Sequence, residues 1–311
     1  MFSRTTSSPL NIDSLTSDLF ASMLPPSHLL LITALTIFLA TPCFSQSAVL
    51  WRPQEPQRGS TWQEDVSMEV AGMKISVGSG NQAIDGGGYF SFHEIVERKH
   101  TGVGRQEARM QESTLQGTLA FLGQTADQMQ GGVLLGKKML GKKEQDAWKF
   151  EFKDVKPSQE EQKALDAFAG RTGLLALWPY LYGTQARKKG ETWKADTTFL
   201  TKGNGKTASP LTIDLNFTFV DVEEKAGSRC ARLGVTGFFK IAPSEKNPAT
   251  ITLDVQGDIW REPRDMVDVE MNLQGTLKVS GAKANDPKLP PGTALELSAP
   301  FTLKRTVKPV K

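Results

Sequence analysis

Cysteine is almost missing from this chain. There are 2 in 311 residues, Cys43 and Cys230. The first lies in a leader-like stretch, so a processed chain keeps Cys230 alone and forms no internal disulfide. Its stability must come from burial and backbone pairing. Histidine is equally scarce, with 3 residues, of which only His93 and His100 lie beyond the leader. That is too few for a clustered metal site. No Gly-x-Ser-x-Gly nucleophile elbow occurs. Charge of neither sign prevails: 37 basic residues against 34 acidic leave +3, too little to point to nucleic acid. No apolar run reaches the roughly 20 residues that a bilayer-spanning helix needs.

The run Leu29 to Ala40 is short and apolar. It matches the hydrophobic core of a secretory signal, followed by small residues at Cys43-Phe44-Ser45 or Ser45-Gln46-Ser47. The basic region before it is poor, with Arg4 and His28, and a start at Met23 would leave an ordinary short signal. The competing reading is an uncleaved N-terminal anchor. A lipid-anchored Cys43 fits less well, because Pro42 directly precedes it. Residues 1–45 are therefore expected to be a signal peptide, and the processed chain to be periplasmic or secreted, soluble or peripheral to a membrane.

After an extended lead-in (46–58), strand-like alternation dominates. Trp62, Val66, Met68 and Val70 alternate with polar residues, with one exception at Glu64. At Ala71-Gly72 the parity flips, as a β-bulge would make it. Gly78 to Gly88 resembles a loop. Phe90, Phe92 and Val96 follow, then Leu115 to Phe121. Val133 to Met139 and Trp148 to Phe152 make two further strands, with a turn over Gly141 to Asp146. A helix is expected over Ser158 to Ala169: Ser158 and Glu161 form a capping box, and Gly170 stops it. An apolar connector (Leu174, Leu175, Leu177, Trp178, Tyr180) leads into clean alternation over 211–219, 233–241, 251–259, 267–279 and 295–303. Such alternation means antiparallel sheet. The fold class is mainly β, with long antiparallel curved sheets in two pseudo-repeated halves, 59–157 and 190–311, joined by a helix and connector over 158–189.

Two echoes carry the pseudo-repeat. Gly59-Ser60-Thr61-Trp62 is matched by Gly190-Glu191-Thr192-Trp193, and Leu115-Gln116-Gly117-Thr118-Leu119 recurs as Leu273 to Leu277. Trp62 and Trp193 are the expected structural anchors, at equivalent core positions. The approach Trp178-Pro179, the Gly190-Glu191-Thr192-Trp193 opening and hairpins ending in Gly257-Asp258-Ile259-Trp260 resemble a family of β-rich proteins secreted by bacteria, of unknown function. That resemblance implies an envelope location and assigns no activity.

Chemical motifs are imperfect. His93-Glu94-Ile95-Val96-Glu97 has a glutamate where a zinc protease needs its second histidine, and it lies in a strand. His93 is expected on a polar face, with no metal bound. Gly203 to Thr207 has Leu200 where a phosphate loop needs glycine, so a hairpin turn is expected. Cys230 has no evident histidine partner. The pairs Lys137-Lys138, Lys142-Lys143 and Lys188-Lys189 protect sheet edges, or dock to anionic lipid or a polyanionic polymer. Gly237, Gly257 and Gly275 occupy inward parity. Either they bend long strands, or they leave a hollow for an apolar ligand.

The expectation is a non-enzymatic binding protein, without catalytic residues or cofactor, holding a hydrophobic small molecule or lipid. Gly237, Gly257 and Gly275 are the candidate ligand-binding positions. The alternative is a structural or interaction module whose partner is an envelope protein. A cleft of converging carboxylates would instead mark an enzyme.

Overall fold

The alternation of apolar and polar residues runs on through glycines that might have broken it, and the strands are correspondingly long. A computed structural model describes residues 47–48, 57–77, 84–121, 124–144, 147–198, 211–243, 249–264, 267–283 and 294–310. The expected signal peptide, nearly all of the lead-in, the Gly203 to Thr207 turn and the turn expected near Ser244 lie outside the described residues.

The lead-in contributes β1 (Ser47–Ala48), and the first half β2 (Thr61–Val77), β3 (Ile84–Gly102), β4 (Arg105–Phe121), β5 (Gln124–Gly131), β6 (Lys138–Glu144) and β7 (Ala147–Phe152). Helix α1 (Gln159–Leu181) follows. The connector ends in β8 (Arg187–Lys188), and the second half contributes β9 (Thr192–Lys194), β10 (Leu211–Lys225), β11 (Ser228–Ile241), β12 (Thr250–Glu262), β13 (Val267–Lys283) and β14 (Ala294–Pro309).

All ladders between these strands are antiparallel. Twelve strands form one sheet in the order β7-β6-β4-β3-β2-β14-β13-β12-β11-β10-β9, with β5 and β6 sharing the far edge of β4. β1 and β8 pair separately. The first half steps outward from β2 to β7. Beyond α1, the second half enters at β9 and steps inward until β14 pairs with β2 along most of its length. The two halves thus share one sheet, and their seam is its centre.

The bulge expected at Ala71-Gly72 is present. Val70 pairs with Phe90 and Met73 with Gly88, so two residues of β2 oppose Tyr89 alone. Gly72 takes a positive φ of 61° there. Three local expectations need correction. Part of the supposed loop before Tyr89 is strand, since β3 begins at Ile84 and Gly86 to Gly88 pair with β2. Val133 to Met139 is not a strand. Gly136, at φ 73°, closes a turn in which Leu135 N–H donates to the Gly132 carbonyl and Lys137 N–H to that of Leu134. The strand is β6, which runs through Gly141 to Glu144.

Helix α1 begins as its capping box requires. Ser158 Oγ accepts from the Glu161 amide and the Glu161 carboxylate accepts from the Ser158 amide. It does not stop at Gly170. It continues to Leu181, through Gly170, Gly173 and Pro179, so the expected connector is its second half. Mid-helix glycine costs about 1 kcal/mol, which burial of Thr172, Trp178 and Leu181 on the sheet outweighs.

The inward residues form transverse lines across the sheet. One runs Trp193, Phe217, Val235, Gly257, Leu273, Leu303, Met68, Phe92, Leu115. Its neighbour runs Leu215, Gly237, Val255, Gly275, Phe301, Val70, Phe90, Gly117. The repeated Leu-Gln-Gly-Thr-Leu segments therefore place Leu115 with Leu273, and Gly117 with Gly275, on the same lines.

Candidate functional site

The inner face carries helix α1, two apolar clusters and a belt of charge between them. Under the first half of the helix, Leu165 and Phe168 pack with Val96, Met110, Met139 and Phe150. Phe150 and Phe168 meet edge to face at 4.7 Å. Under its end, Trp178 and Tyr182 meet Phe217 edge to face, at 6.4 and 5.2 Å, within a cluster that includes Leu233, Ile259 and Met271.

The belt begins at Glu64, the one residue that broke the alternation of β2. It is 3% exposed and accepts from Arg98 Nε and Arg305 Nε, each at 2.6 Å. Arg98 also reaches Gln106 and Thr172 of α1, and lies over the Phe168 ring. Arg305 continues the belt by donating to the backbone carbonyl of Asp268. Asp268 in turn holds Arg261 at 2.6 Å and accepts from the Tyr182 hydroxyl at 3.0 Å. A branch pairs Arg171 of α1 with Glu94, while the Arg171 guanidinium sits over Phe92.

Burial disfavours the charged form of Glu64, but the charges of Arg98 and Arg305 outweigh it, and the carboxyl is held down to about 2. Glu94 goes the other way. Burial raises it, and Arg171 only partly offsets that. Burial, and then the Asp268 carboxylate, push the Tyr182 hydroxyl well above its ordinary value, so it stays a donor. With its members hydrogen-bonded to one another, this belt pins α1 to the sheet. The sequence marked it only at Glu64. Glu94, Arg98, Arg261 and Arg305 also occupy inward parity, and that shared misfit was the available signal.

Away from the belt, the inner face is apolar and half-buried. Ile251 and Leu253 of β12, Leu277 and Val279 of β13, Leu297 and Leu303 of β14, Met68 and Ile75 of β2, Phe90 of β3 and Leu115 of β4 all lie there.

Gly237, Gly257 and Gly275 come together as a zigzag across β11, β12 and β13. Gly237 faces Val255, which faces Gly275, and Gly257 lies one inward step away on β12. Gly237 and Gly257 are thus diagonal neighbours, not directly opposed. A Cβ on any of them would lie 1.7–2.0 Å from a carbonyl oxygen of the adjacent strand, and Gly237 and Gly257 have φ of 138° and 155°. The space a side chain would need is filled by neighbouring backbone. No hollow is therefore left at the glycines themselves, and backbone approach this close is compatible with a bend.

Trp62 and Trp193 are not alike. Trp193 is 7% exposed, donates from its indole to the Tyr182 carbonyl, and carries Arg187 on its ring. It sits on β9, a three-residue strand at the sheet edge. Trp62 is half-buried at the start of a central 17-residue strand, between Arg98 and Pro309. Equal motifs feed unequal places: the end of α1 and Phe217 cover Trp193, although β9 is flanked on one side and β2 on both.

Cys230 is buried in β11. Burial, helped by nearby carboxylates, pushes its thiol up to about 11, which suits a packed strand residue. The lysine pairs do not guard an edge at β6, which is flanked by β4 and β7. Lys138 pairs with Glu107, Lys137 with Glu161 and Lys142 with Glu144. Lys143 lies over Tyr180.

His93 lies on the outer face, as its polar parity implied. Its ring nitrogens are 3.0 Å from Asp65 and 3.2 Å from Glu112. It borders a depression over the seam, lined also by Ser67, Glu69, Gln116, Thr302 and Lys304. Among the described residues no group of side chains is arranged to hold a metal ion, and no helix is long and apolar enough to cross a membrane.

No protein-family model and no curated protein matches the chain. Among solved structures it is similar to one titled "Lipid-protein interactions in lipovitellin", at a TM-score of 0.39 and 10% identity. The match covers 83% of this chain and 26% of that one, so the chain spans about a quarter of its length.

Proposed function

We propose that the chain is an exported, non-enzymatic binding protein, periplasmic or secreted, that holds a hydrophobic small molecule or lipid on the open end of its inner face. One observation carries this reading. Half-buried aliphatic and aromatic side chains from six adjacent strands, β12 to β4, form one apolar surface beside a helix that covers the rest of that face, and Met68, Phe90, Leu253, Leu297 and Leu303 among them pack on the core. An apolar face that neighbouring side chains leave only half-buried suits an apolar ligand. The sheet is curved, backbone as close as that at Gly237, Gly257 and Gly275 is compatible with a bend there, and ligand sites are concave and mostly apolar.

The test is to purify the processed protein from its native envelope, extract it with organic solvent and titrate it with a pyrene-labelled fatty acid. A co-purified lipid, or saturable probe binding weakened at least about tenfold by Leu303→Asp with circular dichroism unchanged, is the expected result. If no lipid is extracted and the probe does not bind, the face meets an envelope protein and the interaction module takes its place. N-terminal sequencing of the same material is expected to begin near Gln46 or Ala48. An intact leader or an acylated Cys43 would overturn the export reading.

A further inference from the structure

The outer face of a half-wet antiparallel sheet is usually plain hydrated surface. Over the seam of this sheet it is a depression whose polar groups are unspent. Glu69 of β2, Gln116 of β4, and Thr302 and Lys304 of β14 converge on it. None of these four side chains has a hydrogen bond or ion pair among the described residues, although Glu69 stands directly opposite Thr302 in the ladder and Lys304 is two residues on. His93, by contrast, is held from both sides by Asp65 and Glu112, so its ring is fixed at the rim.

Tyr89 stands on the same face, one outward step from Ser91, and is 45% exposed. It is the residue opposite the Ala71-Gly72 bulge. Bulges bend a strand and re-aim its neighbours, and they are frequent beside binding sites. The bulge lies just beyond the Glu69 and Ser91 end of the depression, where Tyr89 stands exposed.

The chemistry of this surface selects its ligand. It mixes one carboxylate, one ammonium, an amide and hydroxyls, so it offers donors and acceptors without net charge. That composition is wrong for nucleic acid, which needs a cationic track, and for an acyl chain, which needs apolar walls. It suits a polyhydroxylated ligand with one apolar face, which stacks on an aromatic ring and exchanges hydrogen bonds along its edges. Outward side chains repeat across the strands at about 4.8 Å, close to the advance per residue of an extended sugar chain.

We propose that the outer face at the β14–β2–β3–β4 seam is a saccharide-binding site. An extended, uncharged, β-linked oligosaccharide stacks one ring on Tyr89 and bonds through its hydroxyls to Glu69, Gln116, Thr302 and Lys304. The site is separate from the apolar inner face, and neither reading depends on the other.

Calorimetric titration of the processed chain with cellohexaose and with chitohexaose tests it. At least one is expected to bind with Kd below about 5 mM. Tyr89→Ala and Gln116→Ala, both on solvent-facing positions, are each expected to weaken binding at least about fivefold without moving the melting temperature. Hydrogen exchange with saturating sugar is expected to slow in β2, β3, β4 and β14. Failure of both sugars to bind below that limit overturns the proposal. So does wild-type affinity in either variant, or protection confined to other strands.

Discussion

The two halves of the sheet put different chemistry on the same transverse line. In the second half, Phe219, Leu233, Ile259 and Met271 follow one another across β10 to β13. Continued into β14 and the first half, the line reads Arg305, Val66, Glu94, Ser113. Both stretches turn toward the inner face. The apolar side is stabilised by area removed from water, about 25 cal/mol per Å². The ionic side holds Glu64, Arg98 and Arg305 against a desolvation cost that their attraction and hydrogen bonds must offset. The difference follows the path of α1. Its end brings aromatic side chains onto β10 and β11, whereas its middle brings Arg171 and Thr172 onto β3. Parity tells which side chains face inward, and the crossing element decides whether that interior is dry or ionic.

The largest expected effect comes from breaking the ionic side alone. Glu64→Ala leaves Arg98 and Arg305 buried without their carboxylate, and is expected to cost about 3–5 kcal/mol in chemical denaturation. Converting the first half to the chemistry of the second, with Glu64→Met, Arg98→Leu and Arg305→Met together, is expected to recover most of that loss. A triple variant no more stable than Glu64→Ala would show that the belt supplies stability, and not only the register of α1.

The tryptophans sharpen the same contrast. Trp193→Ala is expected to cost about 3–5 kcal/mol and Trp62→Ala about half as much, read as a difference in melting temperature. Equal losses would mean that the two Gly-x-Thr-Trp motifs are energetically equivalent despite their unequal burial.

Acid separates Glu64 from Glu94, two of the belt's three carboxylates. Glu64 is held at about 2, below its ordinary value of 4.5. Its contribution is therefore fully present above pH 4.5 and is lost as pH falls through about 2, roughly 3 kcal/mol in all. Glu94 is raised, so what it contributes is present below its ordinary value and fades as pH rises through the raised one. Stability measured from pH 6 to 2 is expected to fall, and Glu64→Gln to flatten most of that fall. If the acid limb is unchanged in Glu64→Gln, other carboxylates govern it.

The smallest effect belongs to the outer face of the second half, where Lys278 and Asp254 pair at 2.9 Å in water. Lys278→Ala is expected to change stability by less than about 1 kcal/mol, and less still in high salt. A larger loss in a salt series would mean that this face is drier than the exposure of both side chains implies.

Much of this architecture was legible because a strand declares its faces every second residue. The alternation over 211–219 and 251–259, the phase flip at Ala71-Gly72 and the capping box at Ser158 are local signals, and each is where the residues put it. The end of α1 was not legible. Gly170 and Pro179 are local stop signs, and the contacts of Trp178 and Leu181 with distant strands outweigh them. The unequal burial of Trp62 and Trp193 was hidden for the same reason, since a Gly-x-Thr-Trp motif does not say which strand will lie beside it.

Residue type and a period of two were enough to settle the class of fold and the inward set of side chains. The pairing of the last strand with the first long one had no such local signal and emerged in the folded sheet. There, too, Glu64 turned from a misfit in a strand into the centre of a charge belt. The inward glycines proved to be needed where neighbouring backbone comes too close for a side chain. Those outcomes depend on which strands become neighbours, and strand pairing is set by the summed burial of the whole sheet, not by any stretch of the chain.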